Sequence, residues 1–187
     1  HNDVKVYQPF NPETGIHLPK PESFQGSVFV DNTAFGVHSH LPENWSTAMW
    51  QSRSWHGPSG LGVLAVRQGT LWRNPLPHND INKVPQSFSI PLALASAVAM
   101  ENFTKEYSAQ RDEIEIFKSQ IIRCLMNEIG NVVVAGEHQT TTPYLISASI
   151  HGVDAERLLH LMNERGLAID TGSACLTSSL QPSHVLA

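Results

Sequence analysis

Two features of this sequence have the composition that catalytic chemistry requires, a cysteine among small polar residues and an aspartate at the end of an apolar run. Cys175 lies within residues 171–179, a stretch of glycine, serine, alanine and threonine that follows a predicted strand. Thiolates react where the thiol is exposed and its pKa is lowered. Cys175 is therefore a candidate nucleophile, and a loop cysteine without a function is the alternative. Cys124, by contrast, lies on the apolar stripe of a predicted helix, where we expect it to pack as a small apolar side chain.

The aspartate is Asp31, which ends the apolar run Ser27-Val28-Phe29-Val30. Such a run is typical of a buried strand in an α/β sheet. Sheets of this kind place their ligand sites at the carboxyl ends of the strands. The sequence therefore indicates a site beside Asp31.

The pattern of apolar residues predicts an α/β chain with a boundary near residue 110. Strands are predicted over 4–7, 27–31, 47–52 and 61–66, then helices over 92–107 and 112–128, strands over 132–135 and 144–150, a helix over 155–165 and a strand over 167–169. Residues 1–110 and 111–187 are thus predicted as two domains, the second with its own α+β layer.

Composition excludes several classes of protein. The chain has 187 residues, with 12 Lys and Arg against 17 Asp and Glu, so its net charge of -5 argues against nucleic-acid binding. No segment approaches the roughly 18 apolar residues of a spanning helix. The two cysteines have no CxxC spacing and form no disulfide framework, which favours a reducing, cytoplasmic location. Because the sequence begins without Met and ends inside a continuing segment, we expect it to be a fragment.

A metal site is the weaker alternative. His38, His40 and His56 are near in sequence, but no cysteine or fixed third ligand accompanies them. Histidines in this pattern are usually surface residues, so no metal site is predicted.

Several segments resemble those of a known family. Residues 172–175 and 179–186 resemble, without gaps, the mobile active-site loop of cysteine desulfurases. These enzymes are class V aminotransferases, within the fold type I group of pyridoxal phosphate enzymes. Segments that are similar to family motifs also occur, in the family's order, at 11–15, 30–33, 57–62 and 87–91.

The resemblance implies a partial fold type I transferase. Residues 1–110 would be the later part of the cofactor-binding large domain, and residues 111–187 would be the small domain that carries the cysteine loop. It also implies pyridoxal phosphate as the cofactor, L-cysteine as the substrate, a homodimer and a protein partner that receives sulfur.

The resemblance also implies roles for individual residues. Asp31 would face the pyridine nitrogen and keep the ring protonated as an electron sink. Ser89 would give its hydroxyl to the cofactor phosphate of a neighbouring subunit. Cys175 would attack the sulfur of the cysteine–cofactor adduct and leave as a persulfide, releasing alanine.

The sequence departs from the family at the residue that matters most. The family's cofactor lysine falls on Ser54, and the histidine before it falls on Arg53. Serine cannot form the Schiff base, although Arg53 is a good ligand for a phosphate. Ala34 and Pro12 replace two further polar residues of the family's pocket. Trp55, next to Ser54, is expected to pack in the core. The alternative is that it fills a pocket that has lost its ligand.

Two functional hypotheses follow. The first is a cysteine desulfurase-like protein whose pyridoxal phosphate chemistry is impaired, with the cofactor held without a covalent link or absent. The alternative is a non-catalytic homologue that acts as a scaffold or accepts sulfur on Cys175. The replacement of the lysine by Ser54 leaves it open whether the chain is an enzyme.

Overall fold

A computed structural model describes residues 3–34, 39–75 and 88–171, with the side chain of Ser108 left out. Its larger sheet has four strands in the order β1-β2-β3-β4. The strands are β1 (Val4–Tyr7), β2 (Ser27–Asp31), β3 (Trp45–Gln51) and β4 (Gly62–Val66). The first three strands are parallel, and β4 runs antiparallel to β3. The predicted α/β class and all four predicted strands are confirmed.

Strand β2 forms the centre of the core. Because side chains of a strand alternate between the two faces of the sheet, residues two apart in β2 lie on the same face. Val28 and Val30 are fully buried, with Tyr7 of β1 and Ala48 of β3 packed beside them. The paired strands bring Tyr7 opposite Val30 and Asp31 opposite Met49. The carboxyl ends of the three parallel strands therefore meet at one edge of the sheet.

The outer strands of the sheet leave apolar side chains exposed. Val4 and Val6 of β1 are 63% exposed, and Val63 and Leu64 of β4 are 44% and 47% exposed. Unpaired strand edges of this kind are sites at which further strands add. Both outer strands of the larger sheet therefore expose apolar side chains in the described chain.

One helix follows the sheet where the sequence predicted two. Helix α1 runs from Ile90 to Glu128, a length of 39 residues, straight through the predicted break at 108–111. The break is wrong because no glycine or proline lies there, and Ala109, Gln110 and Arg111 are good helix formers. Ser89 caps the helix, accepting a hydrogen bond from the backbone N–H of Leu92, and Pro91 occupies the first turn. Whether two domains meet near residue 110 stays a prediction.

The exposure of one α1 side chain also contradicts the sequence analysis. Cys124 was expected to pack as an apolar residue, but its thiol is exposed. The apolar residues near it, Phe117 and Ile121, are 52% and 50% exposed, so this face of the helix has no cover in the described chain. A periodic stripe predicts which residues share a face and does not by itself predict that the face is buried.

A second, smaller unit follows α1. Strands β5 (Val132–Val134) and β6 (Ala148–Ile150) pair antiparallel, and helix α2 (Ala155–Glu164) follows. Asp154 caps α2 by accepting a hydrogen bond of 2.8 Å from the backbone N–H of Arg157. The β-β-α order predicted for this region is confirmed, with a shorter β6 than expected.

The predicted strand over 167–169 is wrong. The backbone N–H of Leu167 donates to the carbonyl oxygen of Met162, and that of Gly166 donates to Asn163. Gly166 has a φ of +76°, which suits the left-handed turn that ends a helix. The Leu167 N–H that a sheet ladder would need is thus used to close the end of α2.

In the described ranges, no helix combines the length and the apolar character needed to cross a lipid bilayer.

A buried polar cluster fixes α1 to the larger sheet. Residues Ser52–Trp55 form a short 3₁₀ turn directly after β3. The Ser52 hydroxyl donates to the Ser96 hydroxyl at 2.8 Å, and the Trp55 indole N–H donates to the Ser96 carbonyl oxygen at 3.0 Å. Trp55 is 2% exposed and Ser52 fully buried. The expectation that Trp55 packs in the core is confirmed.

We predict that Ser96→Ala lowers the free energy of unfolding by about 1–2 kcal/mol, because it leaves the buried Ser52 hydroxyl without its partner. Urea denaturation measures the change. Ser119→Ala is the matched control, since Ser119 is an exposed serine of the same helix and gains the same helix propensity. The control is expected to change stability by less than about 0.5 kcal/mol. Equal effects of the two substitutions would contradict the importance of the buried cluster.

Candidate functional site

Asp31 lies at the carboxyl end of β2 in a set of hydrogen bonds that keep it ionised. Its Oδ1 accepts bonds from the Thr33 backbone N–H at 3.0 Å and the Thr33 hydroxyl at 2.6 Å. Its Oδ2 accepts a bond of 3.2 Å from the Gln8 side-chain amide. Burial by itself raises the pKa of the Asp31 carboxyl, but the bonds from Thr33 and Gln8 outweigh it and hold the pKa below its usual value.

Ser54 reaches the same loop from the neighbouring strand. It lies in the 3₁₀ turn after β3, and its hydroxyl donates to the carbonyl oxygen of Thr33 at 3.1 Å. The side-chain amide of Gln51, the last residue of β3, donates to the same oxygen. Thr33 therefore links Asp31 to Ser54. Its backbone N–H and its hydroxyl donate to Asp31, and its carbonyl oxygen accepts the hydrogen bond from Ser54.

Gly57 allows the turn to fold back closely on itself. The Gly57 N–H donates to the Ser52 carbonyl oxygen at 3.0 Å. A Cβ atom at position 57 would lie 2.1 Å from the Ser52 hydroxyl oxygen, a distance that no packed pair of atoms adopts. His56, between them, has a φ of 61° and packs edge-on against Phe103 of α1. The position of Ser54 is thus set by the turn and by the helix beneath it.

The other predicted site residues are placed less closely together. Arg53 is exposed on the same 3₁₀ turn as Ser54. Ser89 is exposed at the start of α1, where its side chain caps the helix. Within the described part of the chain, no hydrogen bond joins Ser89 to Asp31. Cys175 lies outside the described residues.

The sequence analysis missed two residues of this cluster, Gln8 and Gln51. Gln8 directly follows β1, and Gln51 ends β3, so both stand at carboxyl ends of parallel strands beside Asp31. The rule that α/β sheets build sites at those ends applies to both residues once the structure shows that β1 and β3 pair with β2.

Comparison with known proteins places the chain in a family. The sequence model of the aminotransferase class-V family matches residues 50–187. The chain therefore belongs to the aminotransferase class-V family.

Within that family, the chain is similar to proteins named cysteine desulfurases. It is 31% identical to one from Gluconacetobacter diazotrophicus over 134 residues, which cover 70% of this chain and 33% of that protein. It is 28% identical to one from Klebsiella pneumoniae over 192 residues, which cover 94% of this chain and 47% of that protein. The chain thus spans half or less of the length of these relatives.

A solved structure shares the fold. The apo structure of a cysteine desulfurase from Thermococcus onnurineus superposes with a TM-score of 0.76 at 12% identity, covering 92% of this chain and 50% of that one. The predicted partial fold type I architecture and the predicted family are confirmed.

The described residues do not fit a covalently bound pyridoxal phosphate. Position 54 carries a hydroxyl that is already hydrogen bonded to a backbone carbonyl, and no lysine lies on the 3₁₀ turn. The ionised Asp31 does fit the electrostatic demand of a protonated pyridine nitrogen. The described part of this cluster therefore contains an ionised carboxylate and no primary amine.

We predict that the stability advantage of the wild type over Asp31→Asn shrinks as the pH falls from neutral to below about 4. The folded carboxyl has a lowered pKa, so it stabilises the fold while the group is ionised, and the stabilisation is lost as the pH falls through the folded pKa. Denaturation at several pH values measures the difference. Asp112→Asn, at an exposed position on α1, is the control. A wild-type advantage over D31N that is constant across this range would contradict the assignment.

Proposed function

We propose that this chain is a cysteine desulfurase-like protein whose pyridoxal phosphate chemistry is impaired because Ser54 occupies the position of the cofactor lysine. The observation that carries the proposal is the hydrogen bond from the Ser54 hydroxyl to the Thr33 carbonyl oxygen. A hydroxyl cannot form a Schiff base, which requires a primary amine. Membership of the aminotransferase class-V family supports pyridoxal phosphate as the cofactor. The presence of Ser54 on the 3₁₀ turn supports the loss of its covalent attachment.

The lysines of the described chain offer no substitute on this turn. Lys105 pairs with Glu101 on the exposed surface of α1 at 3.0 Å. Lys118 donates to Thr141 and Thr142 in the smaller unit. Lys5 lies 5.9 Å from the centre of the Phe24 ring, near the start of β1. Lys20 is exposed in the loop between β1 and β2, and Lys83 is outside the described residues.

The remaining polar groups support a cofactor held by non-covalent contacts alone. In this proposal, Asp31 faces the ring nitrogen and Arg53 holds the phosphate, since a guanidinium binds an anion with two parallel hydrogen bonds. Ser89 contributes its hydroxyl across a homodimer interface. The protein is cytoplasmic, and L-cysteine is the substrate of whatever activity the altered pocket retains.

The second candidate is a non-catalytic role in which Cys175 accepts sulfur from an active desulfurase. Ser54 at the position of the cofactor lysine favours this role, because a protein that only accepts sulfur needs no cofactor of its own. The Cys175 thiolate attacks the terminal sulfur of the donor's persulfide, a new S–S bond forms, and the donor cysteine leaves as a thiolate. A chain that binds the donor without accepting sulfur is a scaffold.

We predict that Ser54→Lys gains a covalent cofactor link that the wild type lacks. The full-length protein is incubated with pyridoxal phosphate, reduced with borohydride and mapped by peptide mass spectrometry. S54K is expected to carry the phosphopyridoxyl group on residue 54 and to gain visible absorbance before reduction. Ser54→Met, similar in length but without an amine, is the control. A stoichiometric link to some lysine of the wild-type chain would overturn the proposal.

We further predict that incubation with an active desulfurase and L-cysteine adds one sulfur atom to Cys175, as measured by mass spectrometry under non-reducing conditions. Cys175→Ser removes the signal, and Cys124→Ser is the matched control because Cys124 is the other cysteine of the chain. Labelling that persists in C175S, or no labelling at all, would exclude the sulfur-acceptor role and leave the scaffold role.

A further inference from the structure

A cavity lies between α1 and the loop over residues 135–147, which joins β5 to β6. Its volume is about 150 Å³. The walls combine charged, hydroxyl and apolar side chains, among them Lys118, Ile122, Glu137, Thr141, Leu145 and Ile146. None of these residues belongs to the cluster around Asp31 and Ser54, and nothing in the proposed function uses them.

Lys118 brings a partly buried amine with unused hydrogen-bonding capacity to this cavity. Its Nζ donates to the Thr141 hydroxyl oxygen at 2.6 Å and to the Thr142 carbonyl oxygen at 2.5 Å. An ammonium has three donors, so one remains. Within the described ranges, Lys118 is part of no ion pair.

The charges around Lys118 favour an anion. Burial lowers the pKa of Lys118, and Glu115, one turn earlier on α1, opposes that shift. Burial and the charges of Arg111 and Lys118 lower the pKa of His17, so both cations lie near that imidazole and favour its neutral form. A negatively charged group in the cavity would be attracted by both Lys118 and Arg111.

Thr141 supplies a second donor. Its hydroxyl oxygen accepts the bond from Lys118, which leaves the hydroxyl hydrogen free to donate to another acceptor. A Cβ at Gly136, which also lines the cavity, would lie 2.5 Å from the Thr141 side chain. The glycine therefore makes the room that Thr141 occupies. Two donors side by side match the two oxygens of a carboxylate.

Glu137 supplies the opposite charge on the wall of the same cavity. Although Glu137 and Lys118 line one cavity, the two form no ion pair with each other. A ligand with both a carboxylate and an ammonium would satisfy each of them, whereas a simple carboxylate would be repelled by Glu137. The charges thus favour a zwitterion.

The apolar walls set the size of the rest of the ligand. Ile122, Leu145 and Ile146 are partly buried around the cavity. The cavity volume is about that of five water molecules in liquid water, which leaves room for a short aliphatic side chain. We propose that this cavity binds a small aliphatic α-amino acid, with its carboxylate on Lys118 and Thr141 and its ammonium on Glu137.

The test compares three probes with the same branched carbon skeleton on the full chain. L-valine carries both charges, isovalerate lacks the amine and isobutylamine lacks the carboxylate. Titration followed by NMR is expected to show L-valine binding at least about tenfold more tightly than either of the others, because each lost charge-assisted hydrogen bond costs affinity of that order. The amide signals that shift should include those of residues 136–146.

Substitutions locate the binding. Lys118→Met is expected to weaken L-valine binding by about tenfold or more, while Lys105→Met, a lysine on the exposed surface of the same helix, leaves it unchanged. Because K118M also removes the contacts to Thr141 and Thr142, Glu137→Gln is the second variant. E137Q keeps those contacts and is expected to weaken L-valine binding while isovalerate binding stays the same or improves.

The proposal is overturned if L-valine causes no saturable shifts, if isovalerate binds as tightly as L-valine, or if E137Q and K105M affect L-valine binding equally. These results do not bear on Ser54, so the proposed function and this inference can fail independently.

Discussion

The carbonyl oxygen of Thr33 is the atom on which the arrangement of the candidate site depends. It accepts hydrogen bonds from the Ser54 hydroxyl and the Gln51 amide, while the N–H and hydroxyl of the same residue hold Asp31. Buried polar groups must be satisfied or they cost stability. Here the polar groups at the ends of β2 and β3 are hydrogen bonded to each other. At position 54, the serine hydroxyl is the side-chain group that takes part in this closure.

Helix α1 gives that closure its rigid support. Near its start, Ser96 accepts bonds from Ser52 and Trp55 of the 3₁₀ turn, and Phe103 packs on His56 about two turns later. Farther along, Lys118 reaches the loop between β5 and β6. One continuous helix therefore contacts both the turn that carries Ser54 and the smaller unit. Its 39 residues correspond to a length of about 58 Å.

Much of the fold follows from the sequence because short apolar runs leave few alternatives. The run that ends in Asp31 is β2 to the residue, and the helix predicted from residue 92 begins two residues earlier, at Ile90, with Pro91 in its first turn. The errors arose where local patterns are weak. Nothing in the residues around 110 breaks a helix, and the apolar residues after Gly166 close α2 in place of pairing in a sheet. Local chemistry decides both cases, because good helix formers carry α1 through residue 110 and the left-handed Gly166 closes α2.

The site was predictable in its main residue and not in its partners. A carboxylate at the end of a buried strand identified Asp31, whereas Gln8 and Gln51 became visible only when the strands were paired in register. The substitution at position 54 could be inferred from the family motif around Gly57 and Pro58. The hydrogen bond that the serine makes could not, because it depends on how closely two loops approach.

The most direct measurement is a crystal structure of the complete protein grown with pyridoxal phosphate. We expect any ring density beside Asp31 to be separate from every lysine, and the Ser54 hydroxyl to stay within hydrogen-bonding distance of the Thr33 carbonyl oxygen. Continuous density from the cofactor's aldehyde carbon to a lysine Nζ of the assembled protein would show instead that the cofactor is covalently bound.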